Sequence, residues 1–99
     1  MTDVFAALAD PTRRTVMERL ARDPATATEI ASELPVTRQA VAKHLAVLED
    51  AGLVHARRAG RERRFSPTPA PLGEAISWMA RVGGEWDERL RALDAYTRR

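Results

Sequence analysis

Cysteine is absent from the 99 residues, which excludes both a disulfide framework and a thiolate metal site. Histidine occurs only at His44 and His55, and residues 67–99 contain none. Two isolated imidazoles do not make a zinc site, so no metal or other cofactor is expected. No apolar run approaches the ~20 residues that a membrane-spanning helix needs. Met1-Thr2-Asp3-Val4-Phe5 lacks the basic stretch that opens a secretory leader, and the expected location is the cytoplasm. There is no glycine-rich phosphate loop, and no nucleophile has an evident base. Paired acids such as Asp87-Glu88 fit a solvated helix face better than a catalytic dyad, so an enzyme is not expected. Aromatic side chains make up only 5% of the chain, and none alternates with the basic residues as stacking on single-stranded bases would require.

A chain of 99 residues is one domain's worth, read here as a single unit over 1–99. A core of that size is thin, and dimerisation is the ordinary way to bury more apolar surface when disulfides and metals are missing. The net charge of +2 is unevenly spread. Residues 1–35 hold four arginines against six acids, and residues 67–99 are balanced. Between them lie Arg38, Lys43, Arg57, Arg58, Arg61, Arg63 and Arg64 against only Glu49, Asp50 and Glu62. A basic middle between acidic and neutral flanks suits either a polyanion or a solvated face.

Periodicity and punctuation divide the chain into short elements. Val4, Phe5 and Leu8 have helical spacing. Asp10-Pro11 reads as an N-cap followed by proline at the first helical position, opening a second helix with Val16, Met17 and Leu20 on its apolar side. Thr26-Ala27-Thr28-Glu29 fits a capping box for a third helix that buries Ile30 and Leu34 and stops at Pro35. Thr37 caps a fourth, whose stripe is Val41, Leu45 and Leu48 and whose end is marked by Ala51-Gly52. Val54–Ala59 and Arg63–Ser66 are extended candidates around a Gly60-Arg61-Glu62 turn. Pro67, Pro69 and Pro71 lead into a long last helix from about Leu72 onward, which Gly83-Gly84 should interrupt at about 1 kcal/mol per glycine.

Two short helices joined by a tight turn, the second with its polar residues gathered early, form the layout of a helix-turn-helix. The fold class is mainly α with a small β-hairpin: a winged helix-turn-helix with a long C-terminal helix. The fourth helix presents Thr37, Arg38, Gln39, Lys43 and His44 near its N-terminal end, the end that enters a major groove in this motif. Arginine can bond guanine bidentately and glutamine can do the same with adenine. The hairpin arginines suit phosphates or an adjacent minor groove, with Arg61 and Arg63 nearest the tip. Duplex DNA is the expected partner. The alternatives are a winged-helix module for protein–protein contact and a non-specific architectural DNA binder.

Asp10-Pro11-Thr12-Arg13-Arg14, Leu34-Pro35-Val36-Thr37-Arg38-Gln39-Ala40-Val41-Ala42-Lys43-His44-Leu45 and Leu48-Glu49-Asp50-Ala51-Gly52-Leu53-Val54 together resemble the ArsR/SmtB family of winged-helix regulators. The Trp78–Tyr96 segment looks like a non-metal branch of that family, one often linked to START-like proteins. The resemblance implies a homodimeric transcriptional regulator, repression as the usual mode, and an inverted-repeat operator. It also implies DNA contacts at Thr37, Arg38, Gln39, Ala42, Lys43, His44, Arg61 and Arg63, although Ala42 replaces the small hydroxyl residue usual there. The family's thiolate metal site would fall at Glu29–Leu34, which holds no cysteine, so metal sensing is not expected. No inducing ligand is legible.

Met79, Val82, Trp86, Leu90 and Leu93 form a stripe longer than so small a core needs, with Trp78 and Tyr96 alongside. With Phe5 and Leu8 it is the expected homodimer interface, built from segments 1–9 and 72–96. A two-fold pair presents one patch to itself, and Trp86 is the natural anchor.

Overall fold

The computed structural model describes the backbone of residues 3–97 and the side chains of residues 3–93. Met1, Thr2 and the Tyr96 side chain, all within the expected interface segments, lie outside those described. The helices are α1 (Val4–Leu8), α2 (Pro11–Arg22), α3 (Ala27–Glu33), α4 (Arg38–Asp50) and α5 (Pro69–Thr97). The strands are β1 (Ala25–Thr26), β2 (Val54–Ala59) and β3 (Glu62–Pro67), in the antiparallel order β1-β3-β2.

Each boundary has a local cause. The Asp10 carboxylate accepts the backbone N–H groups of Thr12 at 2.7 Å and Arg13 at 3.1 Å, with Pro11 at the first helical position. Hydrogen bonding from the Arg13 N–H holds the Asp10 carboxyl below its ordinary range. Arg13 and Arg14 then reach back to the carbonyls of Ala6, Ala7 and Leu8, supplying cationic donors to the orphaned end of α1. At the end of α4, Gly52 takes φ +75, its N–H bonds the Glu49 carbonyl and the Leu53 N–H bonds the Leu48 carbonyl. That pair of bonds is a Schellman motif, and the buried Leu48 and Leu53 supply its apolar accompaniment.

Val16, Leu20, Ile30, Val41, Leu45, Leu48 and Leu53 are the large side chains withdrawn completely from water. They come from α2, α3, α4 and the entry to the hairpin, so burial of one shared core fixes how α3 and α4 sit together. Phe65 closes the core from β3. Arg19 is the buried cation, bonded to Glu33 and to both the carboxylate and carbonyl of Asp23. It pins the end of α2 to the end of α3.

Three details differ from the sequence reading. Ala25 and Thr26 form a strand edge against Phe65 and Arg64, a pairing too short to leave a periodic signal. Glu62 belongs to the strand rather than the turn, because Ala59 pairs with Glu62 across a two-residue Gly60-Arg61 loop. Gly60 there has φ +64, a conformation that only glycine adopts cheaply. Finally, α5 starts at Pro69 and runs unbroken through Gly83-Gly84. Helix formers on both sides offset the glycine cost, and a Cβ at either position would meet no atom within 4 Å.

Most of α5 stands clear of the body. Ala75 is its only buried residue among the described side chains, and the molecule measures 67 × 26 × 24 Å. Among the described residues, no helix is long and apolar enough to cross a membrane.

Candidate nucleic-acid interface

The N-terminal end of α4 is held outward by its cap. Thr37 accepts the Ala40 N–H at 3.1 Å, so Thr37 itself is engaged in starting the helix. Val41, Leu45 and Leu48 face the core, which by helical periodicity turns Gln39, Lys43 and Ala46 to solvent. Arg38, Gln39, Ala42 and Lys43 are all exposed. His44 stands apart from them: it is half-buried, and its charge contributes to lowering the Asp10 carboxyl at the α1–α2 junction. His55 lies elsewhere again, with Nδ1 2.7 Å from the Thr68 hydroxyl.

The hairpin wing lies beside α4. Between them is a cleft of about 300 Å³, lined by apolar Ala27, Ala42, Leu45, Ala46 and Phe65, by Arg38, Arg61 and Arg63, and by the carboxylates Glu49 and Glu62. Strand register places Arg57 opposite Arg64 and Arg58 opposite Arg63, like-charge pairs that are unfavourable unless compensated. The β3 members are compensated. Arg63 binds the Glu49 carboxylate through both terminal nitrogens, one at 3.1 Å, and lies 5.2 Å from the Phe65 ring centre. Arg64 reaches Glu29 at 3.1 Å. The Arg63 bond holds Glu49 below the usual carboxylate range. Burial pulls Glu29 upward, but Arg64 and Thr26 outweigh it.

The basic surface is therefore redistributed relative to the sequence. Arg61 sits at the turn and, among the described residues, makes no ion pair; the same holds for Arg57, Arg58 and Lys43. Arg63 is committed to α4. Arg38 is partly committed, with Nε 2.9 Å from the Thr28 hydroxyl and a terminal nitrogen 3.7 Å from Glu62. Thr28, Glu49 and Glu62 are thus parts of this face that sequence reasoning passed over. Their partners lie 10 to 34 positions away in sequence, so no local pattern could have marked them.

Residues 8–57 match the family model described as a helix-turn-helix domain. The HTH-type transcriptional regulator Rv2034 of Mycobacterium tuberculosis is 50% identical over 68 residues, covering 69% of this chain and 64% of that protein. The transcriptional repressor SdpR of Bacillus subtilis is 30% identical over 90 residues, covering 91% of this chain and 100% of that protein. An ArsR-like transcriptional regulator from Rhodococcus sp. RHA1 superposes with a TM-score of 0.78 at 44% identity, covering 91% of this chain and 85% of that one. The chain belongs to the ArsR family of winged helix-turn-helix regulators. It is a DNA-binding transcriptional regulator and not an enzyme.

Within this ArsR-family frame, the motif residues acquire physical roles. Asp10, Arg13 and Arg14 tie α1 to α2, and Gly52 turns the chain from α4 into the wing. The donor set at α3 does not fit a thiolate metal site. Its residues run Glu29-Ile30-Ala31-Ser32-Glu33, with Ile30 in the core, Glu29 bound to Arg64 and Glu33 bound to Arg19.

The opposite end of the molecule carries the apolar surface. Phe5 packs edge-on against Trp78, with ring centres 5.4 Å apart, joining α1 to α5. Leu8 and Val82 are half-buried, whereas Met79, Trp86, Leu90 and Leu93 are 49%, 57%, 58% and 61% exposed. Ile76, which the sequence reading did not include, is also 60% exposed. Trp86 lies outside the buried core, and its described ring contact is with Arg89, 5.6 Å away on the same helix.

Proposed function

We propose that this regulator binds an inverted-repeat operator as a homodimer, represses from it, and does so without sensing metal. The observation that carries the reading is the division of the surface. Exposed Arg38, Gln39 and Lys43 on α4 lie beside unpaired wing arginines, while a row of large apolar side chains stands unpartnered along α5. Gln39 and Arg38 are suited to base edges, and Arg57, Arg58 and Arg61 to phosphates. Thr37, Ala42 and Lys43 would line the groove-facing turn. His44 supports that turn from its flank, and Arg63 holds the wing against α4.

Exposed apolar surface of this extent marks an interaction site. A two-fold pairing through Phe5, Leu8, Met79, Val82, Trp86, Leu90 and Leu93 would cover it and fix two α4 helices over two half-sites. Insensitivity to metal rests on the missing cysteines and on carboxylates already held by arginines. The test is selection from random duplex DNA with purified protein, followed by titration of Arg38→Ala. A palindromic consensus is expected, with preference at one base position per half-site flattened in the variant. Equal losses on consensus and scrambled duplexes would remove Arg38 from base recognition. Enrichment of no consensus would leave an architectural binder or a protein-contact module.

A further inference from the structure

Arg38 does not project freely from α4. Its Nε donates to the Thr28 hydroxyl at 2.9 Å, and the same hydroxyl donates to the Glu62 carboxylate. Glu62 also lies 3.7 Å from a terminal nitrogen of Arg38. One residue from the start of α3 and one from the wing thus converge on the guanidinium that the start of α4 presents.

The placement of Glu62 is costly for a DNA-binding face. A carboxylate beside Arg61 and Arg38 repels phosphates and lowers affinity for every sequence. Glu49 offsets a like-charge pair in the wing by binding Arg63, but Glu62 sits opposite Ala59 and offsets none. Its contacts act instead on direction. With Nε held by Thr28, the guanidinium is fixed in plane and its two terminal nitrogens form the edge left for a base. A bidentate bond to guanine needs that edge presented at a set angle, and an arginine already fixed loses less rotamer freedom on binding.

We infer that Thr28 and Glu62 are specificity-determining positioning residues, which hold Arg38 for one base and lower general DNA affinity in doing so. The inference rests on Arg38 being a base contact. Its test uses the consensus duplex recovered by random selection, every single-base variant of it, and a scrambled duplex. Arg38→Ala should flatten the preference at one position per half-site by roughly 5- to 150-fold. Glu62→Ala and Thr28→Val should each flatten the same position by about threefold or more, at the low end of such a contact. Glu62→Ala should also tighten the scrambled duplex at low salt, whereas Thr28→Val, which changes no charge, should leave it unaltered. In an Arg38→Ala background, Glu62→Ala should change nothing further at that position while still tightening the scrambled duplex. Thermal melting of each variant monitors the fold.

Wild-type base preference in both Glu62→Ala and Thr28→Val overturns the positioning role while leaving Arg38 as a reader. A uniform change on all duplexes does the same. Unchanged preference in Arg38→Ala itself overturns both the inference and the reading beneath it.

Discussion

Replacing Trp86 with alanine separates folding from assembly. The side chain is 57% exposed in the protomer. A tryptophan offers up to about 250 Å², so roughly 140 Å² remains available to a partner. At about 25 cal/mol per Å² that is ~3.5 kcal/mol per chain, or ~7 kcal/mol for the two copies in a dimer. Alanine retains part of this area, Arg89 already shades the ring, and interface burial is never total. Halving the figure leaves ~3.5 kcal/mol, a few hundredfold in the dimer dissociation constant. Because Trp86 is mostly exposed and lies outside the buried core, the protomer itself should lose little stability. Sedimentation equilibrium read beside thermal melting measures both. We expect a folded, largely monomeric protein that binds a full palindrome scarcely better than a half-site. A variant that remains dimeric at low micromolar concentration with full operator affinity would refute α5 as the interface.

Arg61→Ala should weaken binding to consensus and scrambled duplexes alike and reduce the salt slope by about one, read by titration at several salt concentrations. Arg63→Ala should instead act mainly through loss of its Glu49 and Phe65 contacts, loosening the wing against α4; a salt slope reduced as in Arg61→Ala would contradict that division. Zn²⁺, Ni²⁺ and arsenite at low micromolar levels should leave operator binding unchanged, and chelator-reversible release by any of them would overturn metal independence. Asp10, Glu29 and Glu49 all have carboxyls held below their ordinary values, so the stability they contribute is present above the unfolded-chain values near pH 4. It should be lost as pH falls through the depressed folded-state values, and melting temperatures that rise on acidification from pH 5 to 3 would contradict the assignment.

The sequence alone determined the helices, the two strands of the wing and most of their ends, but not the two-residue β1. Asp10-Pro11, Thr26, Thr37 and Gly52 act through bonds to backbone groups within three or four residues, so their chemistry is written locally. The core was equally legible, because Val41, Leu45 and Leu48 or Val16 and Leu20 recur at helical spacing and only one side of each helix can be buried. The continuity of α5 was not, since two adjacent glycines read locally as an interruption, whereas their penalty is small against the helix formers summed over the whole segment.

Which arginines remain without an ion pair, among the described residues, was decided only by the tertiary structure. Composition shows seven basic residues over 36–66, but it cannot show that Glu49 holds Arg63, that Glu29 holds Arg64, or that Thr28 and Glu62 hold Arg38. Those contacts depend on the register of β3 against β2 and on how the wing lies against α3 and α4. Packing sets that geometry over distances of tens of residues. A charge is read from the chain itself, whereas its partner is fixed only when remote segments share one core.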